Sequence, residues 1–245
     1  MSGSCFAERL NHFVNLTTVE REALARLEER ERHLRRGQTL RRENDDADEI
    51  YILRHGWIMS FVFLDDGSRQ ILRLHFPGDL IGSSNIAYRD APESLTALTD
   101  AVVCPFDKSA LKVLFEQHPR LAALLFAVSQ AERVSLTDRL ASLGRTSAKA
   151  RVGALLLDMI HRIRFMKKDV TSTFDLILTQ EEIGDATGLT AVHVNRMMRA
   201  LVEEGLIERR NGSVTIVDER ALSRASAYTN RFAALDTSWF PASRG

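Results

Sequence analysis

The chain is poor in cysteine and lacks any long apolar run, and each shortage removes a class of function. Only two cysteines occur, Cys5 and Cys104. That argues against a secreted disulfide framework and makes ligation of an iron–sulfur cluster by four cysteines of one chain impossible. No apolar stretch approaches the roughly 18–20 residues needed to span a bilayer, and the polar start has no signal-peptide core, so a cytoplasmic protein with no membrane partner is expected. Net charge is missing too: Lys plus Arg and Asp plus Glu each total 33. Neutrality argues against coating nucleic acid indiscriminately but leaves room for a local basic patch. HExxH, a Gly-rich phosphate loop and a nucleophile-elbow serine are all absent. His12, His33, His55 and His75 show no ligand-like spacing. No catalytic residue, metal site or haem site is therefore assigned.

What is present changes character along the chain. Thr18-Val-Glu-Arg-Glu-Ala-Leu-Ala-Arg-Leu-Glu-Glu opens with a threonine and early acids and repeats apolar residues at Val19, Ala23 and Leu27, which predicts a helix. Over residues 37–107 the period shortens to that of strands. Ile50–Leu53, Trp57–Leu64, Arg69–Phe76, Leu95–Leu98 and Ala101–Phe106 are separated by His55-Gly56, Asp65-Asp66-Gly67, Pro77-Gly78-Asp79 and Thr99-Asp100. Short strands at such spacing predict a β-barrel or jelly roll. Ser109–His118 is a short helix ending before Pro119.

From Arg120 to about Leu143 the chain is free of Gly and Pro. It carries a stripe of Leu121, Leu124, Leu125, Val128, Ala131, Leu136, Leu140 and Leu143. Such a stripe packs either on its own barrel or on a second copy as a two-helix seam. Gly144-Arg-Thr-Ser is a candidate hinge. Residues 148–163 form another amphipathic helix, 164–175 a loop, and 221–245 a short helix and tail. The expected fold class is α+β. Residues 1–118 form a sensor jelly roll with N-terminal helices, 119–143 a dimerisation helix, 144–226 a winged helix-turn-helix and 227–245 a tail.

The chemistry concentrates near the C-terminus. Thr179-Gln-Glu-Glu182 fits a capping box, a short helix follows to Gly188, and Thr190 can cap a second helix. Two short helices joined by a Gly-containing turn make a helix-turn-helix. Leu206–Arg210 and Ser213–Val217 then flank Asn211-Gly212, a hairpin signal that supplies a wing. On the second helix Val194, Met197, Met198 and Leu201 share an apolar side. The other side offers Arg196 for bidentate pairing with guanine, and His193 and Asn195 for base edges. Thr190 is placed for a base or phosphate, Thr179 for a phosphate at a helix N-terminus, and Arg199, Arg209 and Arg210 for the DNA backbone. Singly, each of these is as well explained as solvated surface, and Arg209-Arg210 as a solubilising edge. The assembly is more specific than its members.

In this order the elements resemble the Crp/Fnr family of bacterial transcription regulators. The resemblance is carried by Phe76-Pro-Gly-Asp-Leu-Ile-Gly82, the turns at Gly56 and Asp66-Gly67, and Leu178-Thr-Gln-Glu-Glu-Ile-Gly through Val194-Asn-Arg196. It implies a homodimer on a palindromic DNA site, an effector in the jelly roll and contact with RNA polymerase. Arg196 falls on the family's guanine-reading arginine, and Val192 stands where a base-reading glutamate is usual. The loop Gly82–Ser94 departs from the cyclic-nucleotide pattern. Ser83 replaces the ribose-binding glutamate, and Glu93 stands near the place of the phosphate-gripping arginine, where a carboxylate reverses the attraction. No cAMP, haem or iron–sulfur cofactor is expected. Ser83, Ser84, Glu93 and Thr137 remain as candidates for another effector. Two alternatives stand beside the DNA-binding regulator: a ligand sensor that contacts only protein, and a metal-dependent β-barrel enzyme.

Overall fold

The computed structural model describes residues 3–167, 169–233 and 235–242. Two compact units are present. One is built on the chain through Val62 together with Arg73–Ala131, the other on Phe63–Leu72 together with Glu132–Ala233.

The first unit begins with helices α1 (Cys5–Leu10) and α2 (Thr18–Ala25). The cap of α2 is Thr17, one residue before the expected Thr18. Its hydroxyl accepts from Glu20 N at 3.2 Å while the Glu20 carboxylate accepts from Thr17 N at 2.8 Å. Leu27 of the expected stripe is buried, together with Leu24, but Val19 is exposed, which corrects the stripe at that position. Eight strands follow: β1 (Arg32–Leu34), β2 (Thr39–Arg41), β3 (Glu49–His55), β4 (Ile58–Phe63), β5 (Arg69–His75), β6 (Leu80–Ile81), β7 (Ser94–Ala97) and β8 (Ala101–Asp107). They form two four-stranded sheets, ordered β1-β8-β3-β6 and β2-β7-β4-β5. Non-consecutive neighbours in both sheets are the mark of a jelly roll. Leu34, Tyr51, Leu53, Ile81, Ala101 and Val103 from the first sheet meet Ile58, Leu95 and Ala97 from the second in one buried cluster. Helix α3 (Lys108–Gln117) closes this run.

Helix α4 (Pro119–Arg145) starts on a proline, whose missing N–H costs nothing in a first turn. The structure sorts its apolar residues onto two faces. Leu121, Leu124, Val128 and Ala131 are buried. Phe126, Leu136 and Leu140 are 61%, 47% and 71% exposed, and Ser129 and Arg133 between them are exposed as well. Positions 126, 129, 133, 136 and 140 step by three and four, the spacing of a two-helix seam. Phe126 is absent from the stripe expected from sequence. The helix runs through Gly144 to Arg145, the break falls at Thr146 within the expected Gly144–Ser147 hinge, and Ser147 caps the next helix.

The second unit contains α5 (Ala148–Met166), β9 (Thr173–Asp175), α6 (Gln180–Thr187), α7 (Ala191–Glu203), β10 (Ile207–Arg210), β11 (Ser213–Ile216) and α8 (Glu219–Ala225). Val152, Leu156, Leu157, Met159 and Ile160 of α5 are its core. The stretch expected as loop is partly regular: α5 extends to Met166, and β9 joins the hairpin in a sheet ordered β10-β11-β9. Only Phe174 of β9 turns inward, paired with Val214, so alternation was too short to read. Helix α8 is tied to α5 where His161 Nε2 and Arg164 Nη1 each meet the Glu219 carboxylate at 2.7 Å. Burial alone would raise the Glu219 pKa, but these two hydrogen bonds hold it below the ordinary glutamate value.

Candidate functional site

Helices α6 and α7 are positioned by a tight turn. Thr179 caps α6 through the expected box: its hydroxyl accepts from Glu182 N at 3.1 Å, and the Glu182 carboxylate accepts from Thr179 N at 2.8 Å. The helix ends at Gly188, whose φ of 66° lies in the left-handed region. At Gly184 a Cβ would stand 2.3 Å from Leu189 O, closer than any real contact, so the turn can fold over α6 only where no side chain exists. Leu189 N donates to Gly184 O at 3.0 Å across this contact. Thr190 then caps α7, accepting from His193 N at 3.3 Å.

On α7 the two faces separate as the sequence implies. Val194, Met198 and Leu201 are buried, with Met197 partly so. Val192, Arg196 and Arg199 are exposed along one stripe, with His193 and Asn195 half-buried on its flanks. Arg209 and Arg210 are exposed on β10, opposite Val214 and Ser213, and Asn211 and Gly212 turn the hairpin with φ of 51° and 84°. Thr179 and Thr190 are exposed at the two helix starts. Their hydroxyl oxygens cap the two helices, accepting from Glu182 N and His193 N. Thr190, His193, Asn195, Arg196 and Arg199 thus gather on α7 and its cap, while the acids Glu203 and Glu204 lie at its far end. Glu204 is paired with Lys149.

Sequence reasoning missed the support of α6. Arg139 on α4, whose pKa burial lowers, donates to Ile71 O at 2.7 Å, Leu72 O at 2.5 Å and Ala186 O at 2.5 Å. Arg69 Nε reaches Asp185 Oδ2 at 2.7 Å, and Gln70 Nε2 reaches Asp185 O at 2.6 Å. The segment Phe63–Leu72 is therefore bound to the last turn of α6, next to Gly184 and Gly188. A polar residue inside an apolar stripe was the only available signal, and it named no partner.

Ser83 and Ser84 lie on a 3-10 turn after Gly82, and Thr137, exposed on α4, donates its hydroxyl to Arg133 O at 2.9 Å. The buried cation beside Gly82 is Arg41, also missed from sequence. Its Nη1 donates to Glu49 O at 3.4 Å, and its guanidinium lies 5.8 Å from the Tyr51 ring centre. Burial lowers its pKa, against the raising influence of Tyr51, Glu93, Asp45 and Glu49.

A model of the cyclic nucleotide-binding domain matches residues 31–118, and a model of the Crp-like helix-turn-helix domain matches residues 150–225. The fumarate and nitrate reduction regulatory protein of Escherichia coli K12 is 26% identical over 219 residues, covering 89% of this chain and 87% of that protein. The chain belongs to the Crp/Fnr family. Among solved structures, FixK2 from Bradyrhizobium japonicum superposes with a TM-score of 0.73 at 26% identity, over 82% of this chain and 98% of that one. A Crp-family transcriptional regulator from Thermus thermophilus shares the fold with a TM-score of 0.59 at 23% identity, over 84% and 98%.

Within this Crp/Fnr member the loop after Gly82 departs from a cyclic-nucleotide site at Ser83. Ser83 offers no carboxylate to a ribose, while the buried Arg41 beside Gly82 keeps its Nε and Nη2 without a hydrogen-bond partner among the described residues. A cysteine-held cluster fits no better. Cys5 and Cys104 are both buried, and Cys5 Sγ donates to Glu28 Oε2 at 3.1 Å. Burial pushes both thiols up, Cys104 to about 11. Among the described residues no group of three or more His, Cys, Asp or Glu is placed to hold a metal, and no helix is long and apolar enough to cross a membrane.

Proposed function

We propose that this Crp/Fnr regulator acts in the cytoplasm as a homodimer that reads a palindromic promoter site in double-stranded DNA and contacts RNA polymerase there. The observation that carries the reading is the exposed polar stripe of α7. It stands on a helix anchored by Val194, Met198 and Leu201 and set by the Gly184 turn. In the major groove Arg196 pairs with guanine O6 and N7. His193 and Asn195 flank it at base edges, and Arg199, Arg209 and Arg210 hold phosphates. Thr179 and Thr190 present helix-start N–H groups to the backbone. The second copy docks on the exposed Phe126, Leu136 and Leu140 of α4. The domain division is then 1–118 for the sensor, 119–143 for the dimer helix, 144–226 for DNA and 227–245 for the tail. It is a binding protein and not an enzyme.

Selection of duplexes from a random pool by the purified protein, followed by a salt titration of the winning site, tests this. A two-fold symmetric sequence should emerge, and its affinity should fall steeply with salt as counterions are released. Recovery of no preferred sequence, with partner binding indifferent to salt, would support the protein-binding sensor instead.

A further inference from the structure

Helix α7 holds an apolar side chain that the described residues leave largely bare. Val192 is 82% exposed, whereas Val194, Met198 and Leu201 two to nine positions on are buried. Residues 192, 196 and 199 are spaced by four and three, so Val192 stands one turn before Arg196 on the same outward stripe. Neither packing nor helix formation accounts for it: valine loses χ1 freedom in a helix and is a weaker helix former than alanine or leucine.

We propose that Val192 is a specificity-determining residue that packs on the C5 methyl group of one thymine in each DNA half-site. The inference rests on the reading of α7 as the helix that enters the major groove. A valine side chain can neither donate nor accept a hydrogen bond. Among the groups a major groove displays, the thymine methyl is the one it complements. Its place suits the contact, because the N-terminal residues of such a helix are those that reach base edges, and Val192 is the second residue of α7. Four residues of helix rise about 6 Å, and bases on one strand step by about 3.4 Å. The thymine therefore lies within about two base steps of the guanine held by Arg196. Valine also works by exclusion. A cytosine at the same point would set its amino group against an apolar surface, stripped of water and without an acceptor.

The test uses the full-length protein and the duplex it selects from a random pool. Each thymine is replaced in turn by deoxyuridine, which removes the methyl and keeps every hydrogen-bonding group. Wild type should bind roughly three- to fivefold more weakly when one particular thymine per half-site loses its methyl, the loss expected for about one buried methyl. Val192→Ala, which changes an exposed position and should melt with wild type, should show little or no such penalty at that thymine. Val192→Glu should move the preference there toward cytosine, whose N4 amino group a carboxylate accepts. If no thymine is methyl-sensitive, or if the penalty persists in Val192→Ala, the inference is overturned while DNA reading by α7 stands. If the protein selects no sequence at all, the DNA reading itself falls and this inference with it.

Discussion

Replacing Leu140 with alanine should separate the dimer without loosening the fold. Leu140 is 71% exposed on α4, in line with Phe126 and Leu136, so its own chain gives it little cover. Fully burying a leucine is worth about 1.5–3 kcal/mol, of which alanine retains a minor share, so the loss is about 1–2 kcal/mol per protomer and about 2–4 kcal/mol per symmetric dimer. At about 1.4 kcal/mol per decade, the dimer dissociation constant should rise roughly 30- to 700-fold. Sedimentation across a dilution series reads that constant, and thermal melting below it reads the monomer, which should change by no more than about 0.5 kcal/mol. On a selected palindrome, protein diluted to the monomer should protect a single half-site at a time. An unchanged dissociation constant would refute the seam. A clear fall in monomer stability would place Leu140 in its own core instead.

Other consequences are local. Gly184→Ala forces a methyl to within 2.3 Å of Leu189 O, an overpacking worth about 1–3 kcal/mol that should lower the chemical unfolding midpoint and weaken DNA binding; an unchanged midpoint would contradict it. Because the folded Glu219 carboxyl is held below its ordinary value by His161 and Arg164, its contribution is complete above about pH 4.3 and is lost as pH falls through the lower folded value. Glu219→Gln should accordingly flatten the acid limb of stability, and an unaltered limb would remove the network from the account. Both thiols are buried and pushed up, Cys104 to about 11, so alkylation at about pH 8 should label neither until the protein is unfolded; stoichiometric labelling of the native protein would contradict their burial.

How far the sequence carried the fold differed by element. Five of the eight jelly-roll strands, the capping box at Thr179 and the Asn211-Gly212 hairpin were legible because each depends on neighbours in sequence, whereas β1, β2 and β6 are only two or three residues long and carry no period. Strand β9 was not, since a single inward Phe174 between two polar residues carries no period. The stripe on α4 was visible but undivided: periodicity marks which residues are apolar, and only the folded chain shows that Leu121 and Leu124 are covered while Phe126 and Leu140 are bare. At the site, the polar face of α7 followed from spacing alone. Arg139 and Arg41 escaped because their partners are the carbonyls of Ile71, Leu72, Ala186 and Glu49, and a backbone acceptor leaves no mark in a sequence.

On the proposed reading, α7 recognises bases through Arg196. The measurement that addresses it is the affinity of Arg196→Ala against wild type on the selected duplex and on every single-base variant of one half-site. A loss of about 1–3 kcal/mol on the selected site is expected, with discrimination relaxed at one guanine and preserved elsewhere. A loss of the same size on every duplex, with all base preferences intact, would move Arg196 to the phosphate backbone and contradict that reading.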